Sequence, residues 1–329
     1  MNQLFDPEVT AESGRFIGMD EAGYGPNLGP LVITSTTWET PDSPAECKFE
    51  ALLKDVIDTK STCRKTKLHI ADSKLVNKGK YGFESLETSA LALLNAAGMP
   101  VSTFQELRQN VCGFNKTGND PFNDIPWFVG DMNLPFSADA ALINSLADSL
   151  KQTFEQKKIG CLKIQAEVVP AIQFNSLLDQ HGSKGILLTT LAFSLLKKSW
   201  EQRSTTPILF VGDKHGGRNH YGEFLASIAP RTLIETIEEG QSTSRYRVSS
   251  TEFRFQTKGE EHLPVAAASI VAKYIRELSM YQFNSYWQQF CKDVKPTKGY
   301  PVDAKRFWQE IKTAQHEQRI SDDQLWRKR

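Results

Sequence analysis

Two adjacent carboxylates, Asp20 and Glu21, open a segment rich in glycine and proline. Apolar, β-branched stretches flank that segment at residues 16–19 and 30–37, and they predict two strands joined by a tight connection. Crowding two like charges is costly unless a cation offsets them, and hard divalent ions bind carboxylate oxygens together with substrate phosphate. We therefore expect Asp20 and Glu21 to bind Mg²⁺ or Mn²⁺.

The glycines that follow, Gly23, Gly25 and Gly29, have a GxGxxxG spacing, which also occurs in dinucleotide-binding loops. That alternative is disfavoured, because Pro26 lacks the N–H group that a phosphate needs and the preceding carboxylates would repel a phosphate. Glycines also allow a backbone to approach a sugar–phosphate chain closely. The pattern therefore favours a metal-assisted reaction on nucleic acid over a dinucleotide-dependent one.

The composition is that of an ordinary globular protein: 329 residues, 40% hydrophobic and 24% charged. No apolar run approaches the roughly 18 residues of a transmembrane helix, and residues 1–8 lack the features of a secretory signal. The five cysteines are odd in number and form no CxxC pair, which argues for reduced thiols and against a zinc site. We expect a cytoplasmic protein with no membrane association.

The net charge is zero, from 39 basic and 39 acidic side chains, so bulk charge does not indicate a nucleic-acid binder. The basic residues are nevertheless concentrated in the stretch 54–80 and from residue 292 onward. The first group is Lys54, Lys60, Arg64, Lys65, Lys67, Lys74, Lys78 and Lys80. Both a phosphate-binding surface and an ordinary solvated face are consistent with this distribution.

Helical and extended patterns alternate along the chain, which predicts an α/β layer architecture in a single domain, 1–329. The stretch 100–155 contains a proline- and aromatic-rich run at 120–128 and is interpreted as an insertion or lid packed on the core, or as an ordered loop. Residues 286–329 are expected to form a C-terminal helical extension. The other expected elements are helices at 82–97, 185–200 and 265 to about 290, and strands at 162–169 and 207–211.

Six motifs resemble, in order along nearly the whole chain, those of the type 2 ribonucleases H, the RNase HII family. The segment 18–30 resembles the DEAGRGP…GP signature of that family. The others are 71–75 (DSKxL), 167–169 with the helix after it, 211–213, 258–273 (KGD…P…AASIxAK) and 298–301 (GYP).

This resemblance implies an RNase H-like fold, with a mixed central β-sheet flanked by helices and a C-terminal helical region. It implies an endonuclease that hydrolyses RNA in RNA–DNA hybrids or ribonucleotides embedded in DNA, with a pair of Mg²⁺ or Mn²⁺ ions. The implied catalytic and metal-binding residues are Asp20, Glu21, Asp213 and Glu260. The implied substrate-binding residues are Gly23, Tyr24, Gly25, Ser73, Lys74 and Tyr300.

The sequence also departs from the family pattern. Tyr24 stands where the family has arginine, and Glu261 is a rival to Glu260 for the fourth carboxylate. Two alternatives therefore stay open: a nuclease of this fold that acts on another nucleic acid, and a non-catalytic nucleic-acid-binding homologue. The histidines at 215 and 220 follow Asp213, and we expect them in a solvated loop, although one of them could protonate a leaving group.

Overall fold

A computed structural model of the protein describes residues 13–60, 65–113, 122 and 124–328. The predictions made for the first residues of the chain, for Arg64 and for part of the run 120–128 lie outside the described residues. The strands are β1 Gly14–Ala22, β2 Leu31–Thr40, β3 Ile57–Asp58, β4 Leu68–His69, β5 Gly160–Val169, β6 Ile208–Asp213, β7 Glu235–Glu239, β8 Thr243–Val248 and β9 Thr251–Gln256.

The helices lie between and after these strands. They are α1 Phe49–Leu53, α2 Ser73–Val76, α3 Gly82–Ala96, α4 Phe104–Cys112, α5 Ala140–Lys157, α6 Ala171–His181, α7 Lys184–Ser199, α8 Gly222–Ile228, α9 Leu263–Phe290, α10 Pro301–Glu317 and α11 Asp322–Leu325. Short 3₁₀ turns occupy Pro126–Phe128 and Gly259–Glu261. The predicted helices and strands are confirmed, with small shifts of their ends, and α10 and α11 confirm the C-terminal helical region.

Within the described part of the chain, seven strands form the main sheet in the order β5-β2-β1-β6-β9-β8-β7. Strand β1 pairs antiparallel with β2 and parallel with β6, so the sheet is mixed. Strands β3 and β4 form a separate parallel pair. The predicted mixed central sheet flanked by helices is confirmed.

Side chains along β1 alternate between two cores, as the period of a strand requires. Phe16 and Ala22 pack in the core that contains α9, whereas Ile17 and Met19 pack in the core that contains α7. Helices therefore cover both faces of the sheet, and β1 lies buried between them. This alternation decides on which face each carboxylate of β1 lies.

Helix α9 begins in direct contact with β1. A Cβ atom at Gly18 would lie 2.3 Å from the carbonyl carbon of Pro264, so only glycine fits at this point. Thr36 of β2 donates a hydrogen bond from Oγ1 to the Pro264 carbonyl oxygen, at 2.7 Å. Pro264 is tolerated in the first turn of the helix because an N–H there has no intrahelical partner. Helix and strand thus meet backbone to backbone, two residues before Asp20.

Strand β1 extends further than predicted. Asp20 and Glu21 lie within the strand, opposite Thr34 and Ile33 of β2, rather than in the connection. The turn begins only at Gly23, whose φ of 88° lies in the left-handed region that favours glycine. The reason is that β2 offers a continuous antiparallel partner, whose hydrogen bonds extend the strand through both carboxylates.

The described part of the stretch 100–155, interpreted from the sequence as an insertion, lid or ordered loop, contains two helices. It contains α4 and most of α5, and its described aromatic side chains at 104, 122, 127 and 128 are buried in the core. Trp127 contacts Phe283 of α9 with ring centroids 5.1 Å apart. The stretch therefore packs on the core as predicted, but through helices that the aromatic run had obscured.

The buried carboxylate of Glu87 anchors this stretch to α3. Its two oxygens accept hydrogen bonds from the backbone N–H groups of Phe136, Ser137 and Ala138, at 2.7, 2.6 and 2.7 Å. Tyr274 of α9 donates its hydroxyl to the same carboxylate at 2.8 Å. Every oxygen of this buried charge is therefore met by donors.

Among the described residues, no helix is long and apolar enough to span a membrane.

Candidate functional site

The parallel pairing of β1 with β6 brings Asp20 and Asp213 to the same edge of the sheet. Met19 lies opposite Gly212, so the next position on each strand is an aspartate. In parallel strands, paired positions face the same side, and here that side is the face covered by α9. The backbone N–H of Gly259 donates to Asp213 Oδ1 at 2.5 Å, which fixes this carboxylate against the turn before α9.

Asp20 is supported from α9 and α2. Ser269 of α9 makes a side-chain hydrogen bond to Asp20. The hydroxyl oxygens of Ser269 and Ser73 lie 2.9 Å apart. Ser73 is buried, which differs from the substrate contact that the sequence predicted for it. Its position at the first turn of α2 suits it to support Ser269, and through Ser269 the Asp20 carboxylate.

Glu21 lies on the opposite face of β1, because successive side chains of a strand alternate. Its charge acts there on Tyr24 and Tyr221, and it raises the pKa of both phenols, although burial is the larger cause in each case. Lys74 is exposed, and its positive charge lowers the pKa of Glu21 and of Asp213. The lysine therefore lies close enough to this edge to act on carboxylates of both faces.

Burial and mutual repulsion dominate the ionisation of these groups. Burial, and then the Glu21 charge, hold the pKa of Asp20 well above its usual range. Burial, and then Asp213, raise the pKa of Glu21 to about 7. Burial also raises the pKa of Asp213, with a further contribution from Glu260. Added positive charge at this edge would stabilise the ionised form of all of them.

The two candidates for the fourth carboxylate have different environments. Glu260 is half-buried and acts on Asp213, whose pKa it raises. The Glu261 side chain is 71% exposed, and it pairs with Lys258 at 3.7 Å. The turn Gly259–Glu261 thus directs Glu260, and not its neighbour, toward the carboxylate edge.

The charges of these carboxylates influence one another, but their side chains are not grouped around one point. Among the described residues, no three His, Cys, Asp or Glu side chains are grouped closely enough to hold a metal ion. The alternation along β1 explains this, because Asp20 and Glu21 leave the strand on opposite faces. The donor chemistry still suits a hard divalent cation, since all four candidates are carboxylates and the repulsion among them is relieved by positive charge.

The glycines after the carboxylates differ in the space around them. A Cβ atom at Gly23 would lie 2.5 Å from Nε of Arg276 and 2.6 Å from the Pro30 carbonyl oxygen. A Cβ atom at Gly25 would meet nothing within 4 Å. Gly23 is therefore required by the protein itself, whereas Gly25 borders open space that a substrate can enter.

The environments of three further residues, Tyr300, His215 and His220, differ in exposure. Tyr300 is 50% exposed at the start of α10. His215 is buried, its Nδ1 lies 3.2 Å from Thr189 Oγ1, and burial lowers its pKa to about 4. The solvated loop expected there was wrong for His215, and this histidine cannot reach a leaving group. His220 is exposed and pairs with Glu239 at 2.7 Å.

Sequence reasoning missed two arginines beneath the glycine loop, Arg276 and Arg327, both fully buried. Arg327 Nη2 donates to the carbonyl oxygens of Gly23, at 2.5 Å, and of Pro26. Arg276 Nη2 donates to the Lys298 carbonyl oxygen at 2.9 Å. Arg327 lies some 300 residues from the loop in sequence, and no local pattern connects the two.

No family model matches the sequence, and no curated protein matches it. Among solved structures, the chain is similar to RNase HII in its complex with PCNA from Archaeoglobus fulgidus, at 13% identity and TM-score 0.42, over 95% of this chain and 94% of the other. It is similar to ribonuclease H2 from Pyrococcus horikoshii OT3 at 15% identity and TM-score 0.42, over 94% and 92%. It is also similar to Bst-RNase HIII in complex with Mn²⁺ at 16% identity and TM-score 0.45, over 99% and 72%.

The first of these structures belongs to the family whose motifs the sequence resembles. Identities of 13 to 16% and TM-scores of 0.42 to 0.45 are low values. The functional proposal therefore depends on this chain's own residues.

Proposed function

We propose that this protein is a metal-dependent endonuclease of the type 2 ribonuclease H class, which hydrolyses the RNA strand of RNA–DNA hybrids or ribonucleotides embedded in DNA. One observation carries the proposal: buried carboxylates of two adjacent parallel strands repel one another at a sheet edge, directly before a glycine loop with open space at Gly25. Perturbed carboxylates of this kind are typical of functional sites.

Asp20 and Asp213, on one face, would hold a divalent ion together with Glu260, and Glu21 would approach it from the other face. Bound Mg²⁺ or Mn²⁺ would supply positive charge that offsets these carboxylates and polarises the scissile phosphate. Ser269 would keep Asp20 oriented, and the Gly259 N–H would keep Asp213 oriented. With both held in place, the charge that develops on the phosphate meets fixed groups.

Lys74 would bind the phosphate backbone beside this edge, since its side chain is exposed and its charge reaches Glu21. Lys78 and Lys80 are also exposed and continue the basic surface away from the carboxylates. At Gly25 the backbone could approach a ribose closely enough for its N–H to meet a 2′-hydroxyl, the group that distinguishes RNA from DNA. Tyr300 is half-exposed and follows Gly299, whose carbonyl oxygen accepts from the Asn27 and Leu28 N–H groups, and it would pack on a sugar.

The test is cleavage of three labelled duplexes: an RNA–DNA hybrid, a DNA duplex with one ribonucleotide, and plain DNA, each with Mg²⁺ or Mn²⁺. We expect cleavage of the first two and not of the third, and cleavage by Asp20→Asn that is lower by about 10²- to 10³-fold. The matched control is Asp148→Asn, which removes an exposed carboxylate of α5 that pairs with Lys151 at 3.9 Å. Cleavage of plain DNA at an equal rate would replace the proposed substrate class.

A non-catalytic nucleic-acid-binding protein is the second candidate. It is favoured by the observation that, in the described part of the chain, no three ligand side chains are gathered as one metal group. Calorimetric titration with Mn²⁺ separates the two candidates. Binding that is lost in Asp20→Asn supports the nuclease, and absence of binding with retained affinity for the hybrid supports the second candidate.

A further inference from the structure

The segment 326–328 is fixed against the glycine loop by backbone pairing. The Arg327 N–H donates to the Asn27 carbonyl oxygen at 2.8 Å, and Asn27 Nδ2 returns a hydrogen bond to the Arg327 carbonyl oxygen at 3.1 Å. Leu28 and Trp326 form an isolated antiparallel bridge. The loop is thus paired on one side like the edge of a small sheet.

Asn175 of α6 holds the same segment from the other side. Its Nδ2 donates to the Trp326 carbonyl oxygen at 2.8 Å, and its Oδ1 accepts from the Lys328 N–H at 2.8 Å. Asn175 is itself buried. The Arg327 side chain therefore leaves a backbone that is fixed at both ends.

The guanidinium of Arg327 lies under the loop, between its carbonyl groups and an aromatic ring. Its carbon is 4.9 Å from the ring centroid of Phe174. Its Nη2 is shared by the carbonyl oxygens of Gly23 and Pro26, while Nε and Nη1 have no hydrogen-bond partner among the described residues. Burial, and then Arg276, lower its pKa to about 9, so the group remains charged at pH 7.

A buried cation under the loop fixes which way its peptide groups face. The peptide bond is planar and trans, so its C=O and N–H groups point in opposite directions. Because the Gly23 carbonyl is held toward Arg327, the Tyr24 N–H of the same peptide group points away from Arg327. An outward N–H at this position can bind an anion or a hydroxyl, whereas the Asn27 and Leu28 N–H groups donate to the Gly299 carbonyl oxygen.

We propose that Arg327 is a positioning residue for the substrate, which holds the Gly23 and Pro26 carbonyl groups inward so that the Tyr24 N–H faces the nucleic acid. This inference rests on the proposed function for the identity of the substrate. The sequence has Tyr24 where the resembled family has arginine. In this protein, positive charge lies beneath the loop, on the buried side chains of Arg327 and Arg276. Arg327 touches no reacting atom in this scheme.

The first test measures the loop itself and requires no activity. Hydrogen exchange of the residue 23–28 amides is compared in the wild type, Arg327→Met, Arg327→Lys and Lys328→Ala. We expect faster exchange in Arg327→Met, partial recovery in Arg327→Lys, and no change in Lys328→Ala, which removes the exposed ion pairs with Asp179 at 2.9 Å and with Asp323 at 3.7 Å. Unchanged exchange in a folded Arg327→Met protein would overturn the proposal.

The second test measures cleavage of the hybrid by the same proteins. Because Arg327 positions the substrate-binding loop and leaves the carboxylates in place, we expect Arg327→Met to raise KM about tenfold with kcat within about twofold. A fall in kcat alone would contradict this role. Absence of cleavage by the wild type would refute the proposed function, while the exchange result would still decide whether Arg327 orders the loop.

Discussion

Two buried carboxylate sites of this protein are built in opposite ways. Around Glu87, backbone N–H groups and a tyrosine hydroxyl satisfy both oxygens. Around Asp20, the neighbours include the carboxylates of Glu21 and Asp213, and both raise the pKa of Asp20. A buried charge with all its hydrogen bonds stabilises a fold, whereas buried charges that repel one another cost stability until a cation arrives. The first arrangement is an anchor, and the second is the proposed metal site.

Replacing Asp20 and Glu87, one at a time, by the corresponding amide distinguishes the two sites most sharply. We expect Asp20→Asn to lower hybrid cleavage by about 10²- to 10³-fold, since electrostatic support of the phosphate is lost. Its stability without metal should not fall, because a repelled buried charge is removed. Glu87→Gln should instead cost about 3 kcal/mol of unfolding free energy, because an amide cannot accept hydrogen bonds at both positions.

Urea unfolding of both variants without metal, beside cleavage assays, checks this pair of effects. Unfolding of Asp20→Asn at lower urea than the wild type would place Asp20 with Glu87 as a structural anchor. Inactivity of a folded Glu87→Gln protein would show that the anchor also shapes the active edge.

A pH series tests whether Glu21 belongs to the group of carboxylates that repel one another around Asp20. Its pKa in the folded protein is about 7, against an ordinary value of 4.5, so the folded state binds its proton more tightly than the unfolded state does. Stability of the metal-free protein should therefore fall as pH rises from about 4.5 to 7, by about 2 kcal/mol. Glu21→Gln should remove most of that slope. An equal slope in both proteins, measured by urea unfolding at each pH, would exclude Glu21 as the source.

Variants of Glu260 and Glu261 test which of the two glutamates belongs to the group of carboxylates that repel one another around Asp20. Glu260 acts on Asp213, and Glu261 is paired with Lys258 on the surface. We expect Glu260→Gln to lower cleavage or Mn²⁺ affinity about tenfold and Glu261→Gln to leave both within about twofold. The opposite ranking would transfer the role to Glu261.

The smallest expected effect concerns Tyr24, which lies beside Glu21. Tyr24→Arg adds a fixed cation at this edge, and with it one phosphate contact if the loop binds the backbone. The log–log salt dependence of hybrid binding, measured with Ca²⁺ to suppress cleavage, should then steepen by about one unit. Equal slopes in the two proteins would show that position 24 does not contact phosphate.

The sequence predicted the parts of the site that follow local rules. The apolar stretch before them placed Asp20 and Glu21 directly after a strand, and glycine placed the turn. Helix α5 was missed although Ile143, Leu146 and Leu150 have helical spacing, because the aromatic run before it suggested an irregular segment. The alternation of Phe253 and Phe255 with charged residues is the pattern of a half-buried strand and could have indicated β9.

What the sequence could not show depends on contacts between distant segments. The burial of His215 follows from the packing of Tyr221 and Thr189 around it, although the glycines and charges beside it suggest solvent. The role of Arg327 depends on a segment about 300 residues away along the chain. The separation of Asp20 from Glu21 across two faces required the strand to continue past its apolar residues, which only the pairing with β2 explains.

The backbone contact between Gly18 and Pro264 limits how this site could be redesigned. An engineer who wishes to move one carboxylate cannot shift β1 alone, because no side chain separates the strand from α9 and could absorb the movement. The alanines at 266, 267 and 268 are buried as well, so a larger residue there would push the whole helix. New specificities are therefore better sought by exchanging loop residues around Gly25 than by altering the spacing of the carboxylates.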